Sequence, residues 1–365
     1  MRPGCDPGFW KFPLRKTVAA ALIALLTAWT IAGASRPTQK KSPPPVVRAR
    51  FLMGTVFRFE ASPGAPPAAG EALESALDEV DRLERILSNW RRSSELSRLN
   101  RSARRRPTRV SADLFEAVDR ALHWARETEG AFDPTVEPLT RRFRDAPSHG
   151  SSAPSADWRP GHGNWKDVVL NRRGRTIRFI GGVRGLDLGG IAKGIALDRA
   201  AAVLRRKGMN AFLLDAGGQI LAAGAPAGMR GWPVAVADPV RRDEPFLPLL
   251  LTDVSAATSG NSERPGEIVD PSTGAPVRWK GSATAVAPDG TSADALSTAL
   301  FVLGSERGTR WARRRSDVAA VFLAPGDRGH TRISGTVSGR EARKRPFIFF
   351  STTDQQGRIV HVSFR

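Results

Sequence analysis

Cysteine is almost missing from this 365-residue chain: the single one, Cys5, stands before an apolar run near the N-terminus. Once that run is removed on export, no thiol remains. Disulfides, iron–sulfur clusters, thiolate zinc sites and cysteine nucleophiles are then excluded together. Nor is Cys5 the lipid-bearing cysteine of a lipoprotein, which follows the apolar run rather than preceding it. Histidine is sparse too. The five are scattered, and none stands in an H-x-x-x-H arrangement, which argues against a histidine metal centre. Neither familiar phosphate loop is present: there is no G-x-x-x-x-G-K-[ST], and Gly189, Gly190 and Gly194 do not match G-x-G-x-x-G.

Acidic residues are outnumbered, giving a net charge of +20, of which +17 remains once residues 1–34 are set aside. A nucleic-acid partner is not implied. The arginines form short dispersed clusters (Arg104–Arg106, Arg313–Arg315, Arg343–Arg345) with no aromatic interleaving and no recognisable binding helix, so a solvated basic surface is the better reading.

Arg15 and Lys16 precede the uncharged run Val18–Ile31, and Ala32-Gly33-Ala34 ends it with the small residues a signal peptidase accepts. Residues 1–34 therefore read as a signal peptide. The run is near the lower limit of a membrane span, so an uncleaved N-terminal anchor is the alternative. Either way the basic flank stays in the cytoplasm and the bulk of the chain is exported, to the periplasm or the extracytoplasmic face of the membrane. A Pro-rich spacer occupies 35–49, a main domain 50–328, and a basic extension without an assigned role 329–365.

Within the main domain, Arg50–Glu60 reads as one strand-like run. A long amphipathic helix follows from about Ala68 to Leu87, with Leu73, Ala76, Val80, Leu83 and Leu87 on one face. A short second helix and a third, capped by Ser111, complete an early helical group. Gly130–Leu139 reads as a loop, Arg144–Asn164 as a polar surface excursion, and Val168–Leu170 with Thr176–Phe179 as a hairpin around NRRG. Later strands are expected at Phe212–Leu214, Pro233–Ala237, Leu247–Leu251 and Val318–Leu323, and helices at Ala293–Leu303 and Arg307–Arg315. Helices grouped early and strands mostly late predict an α+β fold with a mixed or antiparallel sheet core.

Two stretches carry chemistry. In LDLGGIAKGIALDRA, Leu186 and Leu188 alternate with Asp187 like a strand, then apolar residues recur at helical spacing, so the glycines sit at a helix N-terminus, where free N–H groups and the helix dipole favour an anion. Lys193 in the first helical turn is unfavourable there unless an anion is near. In TSADALSTAL, Asp294 and Thr298 are four apart and share a helix face, fit to clasp one ion. The bland alternative is a capping box, with Thr291 as N-cap and Asp294 bonding its backbone.

Taken in order, MGT (Met53–Thr55), NW with SELSRLN, GAFDPTVEPL, LDLGGIAKGIALDRA, LLDAGGQILAAG, ATSGNSER, IVDPSTGAPV and SADALSTALFVLG resemble the ApbE family of FAD:protein FMN transferases, over about Phe51–Leu323. The resemblance implies a T-fold-like architecture and an enzyme that uses Mg²⁺ to split FAD. It attaches the FMN half to a threonine or serine hydroxyl of a partner redox flavoprotein, extracytoplasmic or membrane-bound, and AMP leaves. It further implies that Met53, Trp90, Ala131, Phe132, Asp133, Asp187, Lys193 and Val269 line the FAD site. Gly190, through its carbonyl, Asp294 and Thr298 would hold the metal, with Asp294 and Thr298 serving catalysis. One departure stands out: the family usually has a longer loop and a histidine just before the IVDP strand, where this chain has Glu267. That change motivates the alternative, a protein that binds FAD or hydrolyses it to FMN and AMP without an acceptor.

Overall fold

The computed structural model describes residues 44–145, 164–241, 244–261, 266–326, 331–336, 348–353 and 359–363. All of these lie in the second of two units, Pro43–Arg365, into which the chain divides. The leader, most of the polar excursion at 144–164 and much of the C-terminal extension lie outside the described residues, among which no helix is long and apolar enough to cross a membrane.

The expected run Arg50–Glu60 proves to be a hairpin. Strand β1 (Val46–Leu52) pairs antiparallel with β2 (Thr55–Ala61), Leu52 opposite Thr55. The two residues between them, Met53 (φ 49°) and Gly54 (φ 79°), both adopt left-handed backbone, which turns the chain in the sense that matches strand twist. Glycine does this freely; methionine does it at a cost.

The early helices follow the pattern read from the sequence. Helix α1 (Ala69–Leu87) buries Leu73, Ala76, Leu77, Val80, Leu83 and Leu87 and stops at Ser88, whose ψ of 128° is extended. Ser94 caps α2 (Glu95–Ser102) by accepting the Ser97 N–H, and Ser111 caps α3 (Ala112–Glu127) by accepting the Leu114 N–H. The supposed loop Gly130–Leu139 is partly helical: a single 3₁₀ turn at Pro134–Val136 leads into α4 (Glu137–Asp145), where Pro138 is tolerated because it sits in the first turn. Then comes the expected hairpin, β4 (Val168–Asn171) with β5 (Thr176–Phe179), extended to a small sheet by β3 (Thr108–Arg109).

Helix α5 (Ala192–Arg206) precedes β6 (Phe212–Ala216) and β7 (Ile220–Ala223); next are β8 (Trp232–Ala237), β9 (Pro245–Leu251) and β10 (Val254–Gly260). A two-stranded ribbon, β11 (Val269–Asp270) and β12 (Ala275–Pro276), is followed by β13 (Ser282–Ala287) and the long helix α6 (Gly290–Ala312). Gly304, at φ 73° and ψ 174°, interrupts α6, which accounts for the two helices expected there. The chain continues through β14 (Ala319–Pro325), β15 (Thr331–Gly335), β16 (Ile348–Thr353) and β17 (Ile359–Ser363).

One antiparallel sheet organises this set, in the order β1-β2-β6-β7-β10-β13-β14-β15. Alternation along each strand sends side chains to two different cores. Phe57, Phe59, Phe212, Leu214, Ala257, Ala283 and Ala285 join the helical core with α1, α5 and α6. Val254, Ala256, Val286, Val321 and Leu323 face the other way, onto Trp232, Val236, Leu247 and Leu249 of a second sheet ordered β17-β16-β9-β8. The α+β reading therefore holds, with helices on one face of an antiparallel sheet. The central strands β10 and β13 were not foreseen. Their residues are mostly alanine, serine and threonine, small enough for α6 to lie close, and they lack the Val/Ile/aromatic signature by which strands are read.

Candidate active site

Leu186–Leu188, expected as a strand, joins no ladder. The segment is extended, but its backbone groups are satisfied locally: Asn100 of α2 donates to the Leu186 carbonyl and accepts its N–H, both at 2.9 Å, and the Asp187 N–H reaches the Pro134 carbonyl at 2.7 Å. Leu186 and Leu188 are fully buried and anchor the segment, leaving the half-buried Asp187 between them. Its carboxylate accepts the Thr140 hydroxyl at 2.6 Å and the Gly189 N–H at 2.7 Å. The partner that a carboxylate here requires is thus a threonine and the glycine turn itself.

Immediately after this turn the chain enters α5, and α6 meets it there. Asp294, its side chain only 6% exposed, stands between the two helices. Its Oδ2 accepts the Gly194 N–H at 3.0 Å, one of the free donors of the first turn of α5, and its Oδ1 lies 3.7 Å from Lys193 Nζ. The lysine placed at the positive end of the helix dipole is therefore balanced by a carboxylate from the neighbouring helix. The capping-box reading of Asp294 fails: Asp289 is the N-cap of α6, accepting the Ser292 N–H at 2.7 Å and the Ser292 hydroxyl at 2.8 Å.

Thr298, one turn further along α6, borders the same place. A Cβ on Gly190 would stand 3.0 Å from Thr298 Oγ1 and 3.2 Å from the Phe132 ring, so a larger residue would crowd both side chains and glycine lets the main chain lie close to the threonine. Ser259 of β10 completes a hydroxyl row, 2.9 Å from Ser297 Oγ and 3.4 Å from Thr298 Oγ1. Among the described residues no three His, Cys, Asp or Glu side chains converge as a metal-binding group. One carboxylate with hydroxyl and carbonyl oxygens suits a hard ion such as Mg²⁺, which takes one or two protein carboxylates and shares substrate phosphates. Softer thiolate or imidazole metals find no donors here.

The remaining candidates surround this junction. Ala131 and Phe132 are buried beside it, and the Phe132 N–H donates to Thr128 Oγ1 at 3.1 Å. Asp133 is buried and caps the short 3₁₀ turn, accepting the Thr135 N–H at 2.8 Å and its hydroxyl at 2.7 Å. Burial pushes its carboxyl above the usual carboxylate range, against the lowering effect of the Thr135 bonds. Met53 sits at the β1–β2 turn, where Thr55 packs so tightly on Gly217 that a Cβ there would fall 2.1 Å from Thr55 Oγ1. Trp90 is 64% exposed at the bend between α1 and α2. Val269 is buried in the β11–β12 ribbon, tied to the end of β10 by Asn261, which donates to the Val277 carbonyl at 2.6 Å. The structure thus joins Lys193, Gly190, Asp294, Thr298 and Phe132 directly, while Met53, Trp90 and Val269 stand on separate elements. Asn100, Thr140 and Ser259 were not singled out from sequence, although Asn100 and Ser259 fall inside the SELSRLN and ATSGNSER motifs.

Residues 53–322 match the profile of the ApbE family. The chain belongs to that family. A Treponema pallidum relative named FAD:protein FMN transferase is 31% identical over 309 residues, covering 77% of this chain and 85% of its own length. One from Klebsiella pneumoniae with the same name is 27% identical over 300 residues, 75% of this chain and 83% of the relative. Among solved structures, the ApbE protein of Thermotoga maritima superposes with a TM-score of 0.71 at 28% identity, covering 80% of this chain and 97% of its own. The flavin transferase ApbE of Vibrio cholerae gives 0.69 at 25% identity, with the same coverage of each chain. The order of helices and antiparallel strands described above is accordingly an ApbE architecture.

Proposed function

We propose that this chain is an FAD:protein FMN transferase that works outside the cytoplasm with Mg²⁺. FMN passes from FAD to a threonine or serine hydroxyl of a redox flavoprotein's acceptor domain, and AMP is released. The observation that carries the reading is the pairing of Lys193 with Asp294 at the N-terminus of α5, at the edge of the glycine turn. An FAD pyrophosphate set against that turn meets the helix dipole and the Lys193 ammonium, while the Gly189–Gly190 main chain lets it come close. Asp294, Thr298 and the Gly190 carbonyl are the oxygens that would hold Mg²⁺. Bound there, the ion would neutralise charge on the phosphate oxygens as the new bond forms.

In the reaction the acceptor oxygen forms a bond to the FMN phosphorus, and the bond from that phosphorus to the bridging oxygen breaks. The bridging oxygen leaves with AMP, and the hydroxyl proton is released. The chain's own part is to orient and to exclude: Asp187, fixed by Thr140 and Gly189, holds the turn, and the buried Phe132 and Ala131 close its inner wall. The leader sequence supports a place outside the cytoplasm.

The test is incubation of the full-length protein, in detergent, with FAD and Mg²⁺, with and without a flavin-acceptor domain, following AMP and acceptor mass. A metal-dependent mass gain equal to FMN supports the reading. AMP without a mass gain points instead to FAD hydrolysis, and bound FAD with neither product to a flavin-binding protein.

A further inference from the structure

Helices α5 and α6 begin at the same point and are pressed backbone to backbone. A Cβ on Gly194 would lie 2.1 Å from the Gly290 carbonyl oxygen, and one on Gly290 would lie 2.7 Å from that of Gly194. Across this contact each helix caps the other. Asp294 of α6 accepts the Gly194 N–H of α5 at 3.0 Å. In return Asp198 of α5, one turn beyond Gly194, accepts the Gly290 N–H at 2.7 Å, the Thr291 N–H at 2.9 Å and the Thr291 hydroxyl. Asp289 takes the next two donors, Ser292 N–H on its side chain and Ala293 N–H on its carbonyl at 3.1 Å. All four leading N–H groups of α6 are thereby satisfied, and Asp198 takes two of them.

We infer that Asp198 is a positioning residue for the Lys193–Asp294 pair. Both of its oxygens are engaged by the first turn of α6, so it acts through that helix. It holds Asp294, one turn along α6, against the N-terminus of α5 and thereby keeps the carboxylate in register with Lys193. The inference rests on the transferase reading, in which this pair meets the FAD pyrophosphate. Asparagine at 198 keeps the shape but turns one acceptor into an NH₂ that faces an N–H donor, loosening the helix contact without emptying it.

The experiment compares full-length wild type, Asp198→Asn and Thr291→Val, the last removing only the hydroxyl that bonds Asp198. FAD affinity is read from flavin fluorescence without metal, and the Mg²⁺ requirement from transfer kinetics. For Asp198→Asn the FAD Kd and the Mg²⁺ activation constant both rise, on the order of tenfold, and Thr291→Val shifts them in the same direction by less. A purely structural brace would lower Tm and leave both constants of the folded protein unchanged; that result overturns the inference. If Asp198→Asn fails to fold, Thr291→Val decides: shifted constants support the positioning role and constants within twofold of wild type overturn it. Wild type that binds no FAD overturns the transferase reading and this inference with it, whereas wild type that binds FAD beside unshifted variants overturns the inference alone.

Discussion

Lys193 and Asp294 are 101 positions apart in the chain and 3.7 Å apart in the fold, ammonium to carboxylate, at the shared start of two helices. The pair is placed by the backbone contact of Gly194 with Gly290, a few residues along the chain from the Gly189–Gly190 turn. Its two members should fail differently. Lys193→Met leaves Asp294 its bond from the Gly194 N–H, so the protein folds but FAD affinity falls, on the order of tenfold or more. Asp294→Asn keeps that same bond, yet transfer should drop ~100-fold or more, because a neutral amide neither balances the lysine nor offers the charge a metal ion would need. Fluorescence titration and acceptor mass measure the two losses; transfer that survives Asp294→Asn would remove the assigned role.

Gly194 admits no side chain. A methyl group there would overlap the Gly290 carbonyl oxygen, a rigid backbone atom, so Gly194→Ala must push α5 and α6 apart. Overpacking of this kind costs about 1–3 kcal/mol. Calorimetry should show a lowered Tm together with weakened FAD binding; an unchanged Tm would mean the helices are not in the contact described.

Asp133 carries a pH signature. Burial raises its folded pKa above the ordinary 3.8, so the folded state holds the proton more tightly than the unfolded chain does. The stability tied to this group is therefore full below about pH 3.8 and is lost as pH rises through the folded value. Asp133→Asn removes that loss, and the Tm difference between variant and wild type should move in the variant's favour from about pH 4 to about pH 7. A difference that stays flat over this range would contradict a perturbed carboxyl.

Trp90 is 64% exposed, so the core does not require it. Trp90→Ala should leave Tm nearly unchanged, yet FAD affinity should fall about tenfold if the ring stacks on adenine or flavin, since such stacking is worth ~1–3 kcal/mol per base. Equal FAD affinity in the variant and wild type would exclude Trp90 from the site.

Met53 is held at φ 49°, a conformation costly for a long side chain, at the tip of the first hairpin. Met53→Gly relieves that cost, so stability should hold within about 1 kcal/mol while FAD affinity drops. Lost stability with intact FAD binding would make Met53 a packing residue only.

Much of this protein is legible in its residues taken in order. The apolar faces of α1 and α3, the serine caps at Ser94 and Ser111 and the NRRG hairpin are local events, set by helical period, side chains that bond the nearest N–H, and turn chemistry. The motif series that marks the family is equally a property of the sequence. Other features depend on partners far away in the chain. Strands β10 and β13 exist because alanines and serines fit beneath α6, a preference no isolated segment expresses. Leu186–Leu188 looks like a strand and becomes a tether, because Asn100 and Pro134 supply the hydrogen bonds a neighbouring strand would have made. Asp294 illustrates the division best. From its decapeptide alone it reads as a cap, since a carboxylate near a helix start bonds whichever N–H is free. Asp289, just upstream, takes the Ser292 N–H, and the packed fold supplies Asp198 for Gly290 and Thr291, leaving Asp294 to reach across to Gly194 and Lys193.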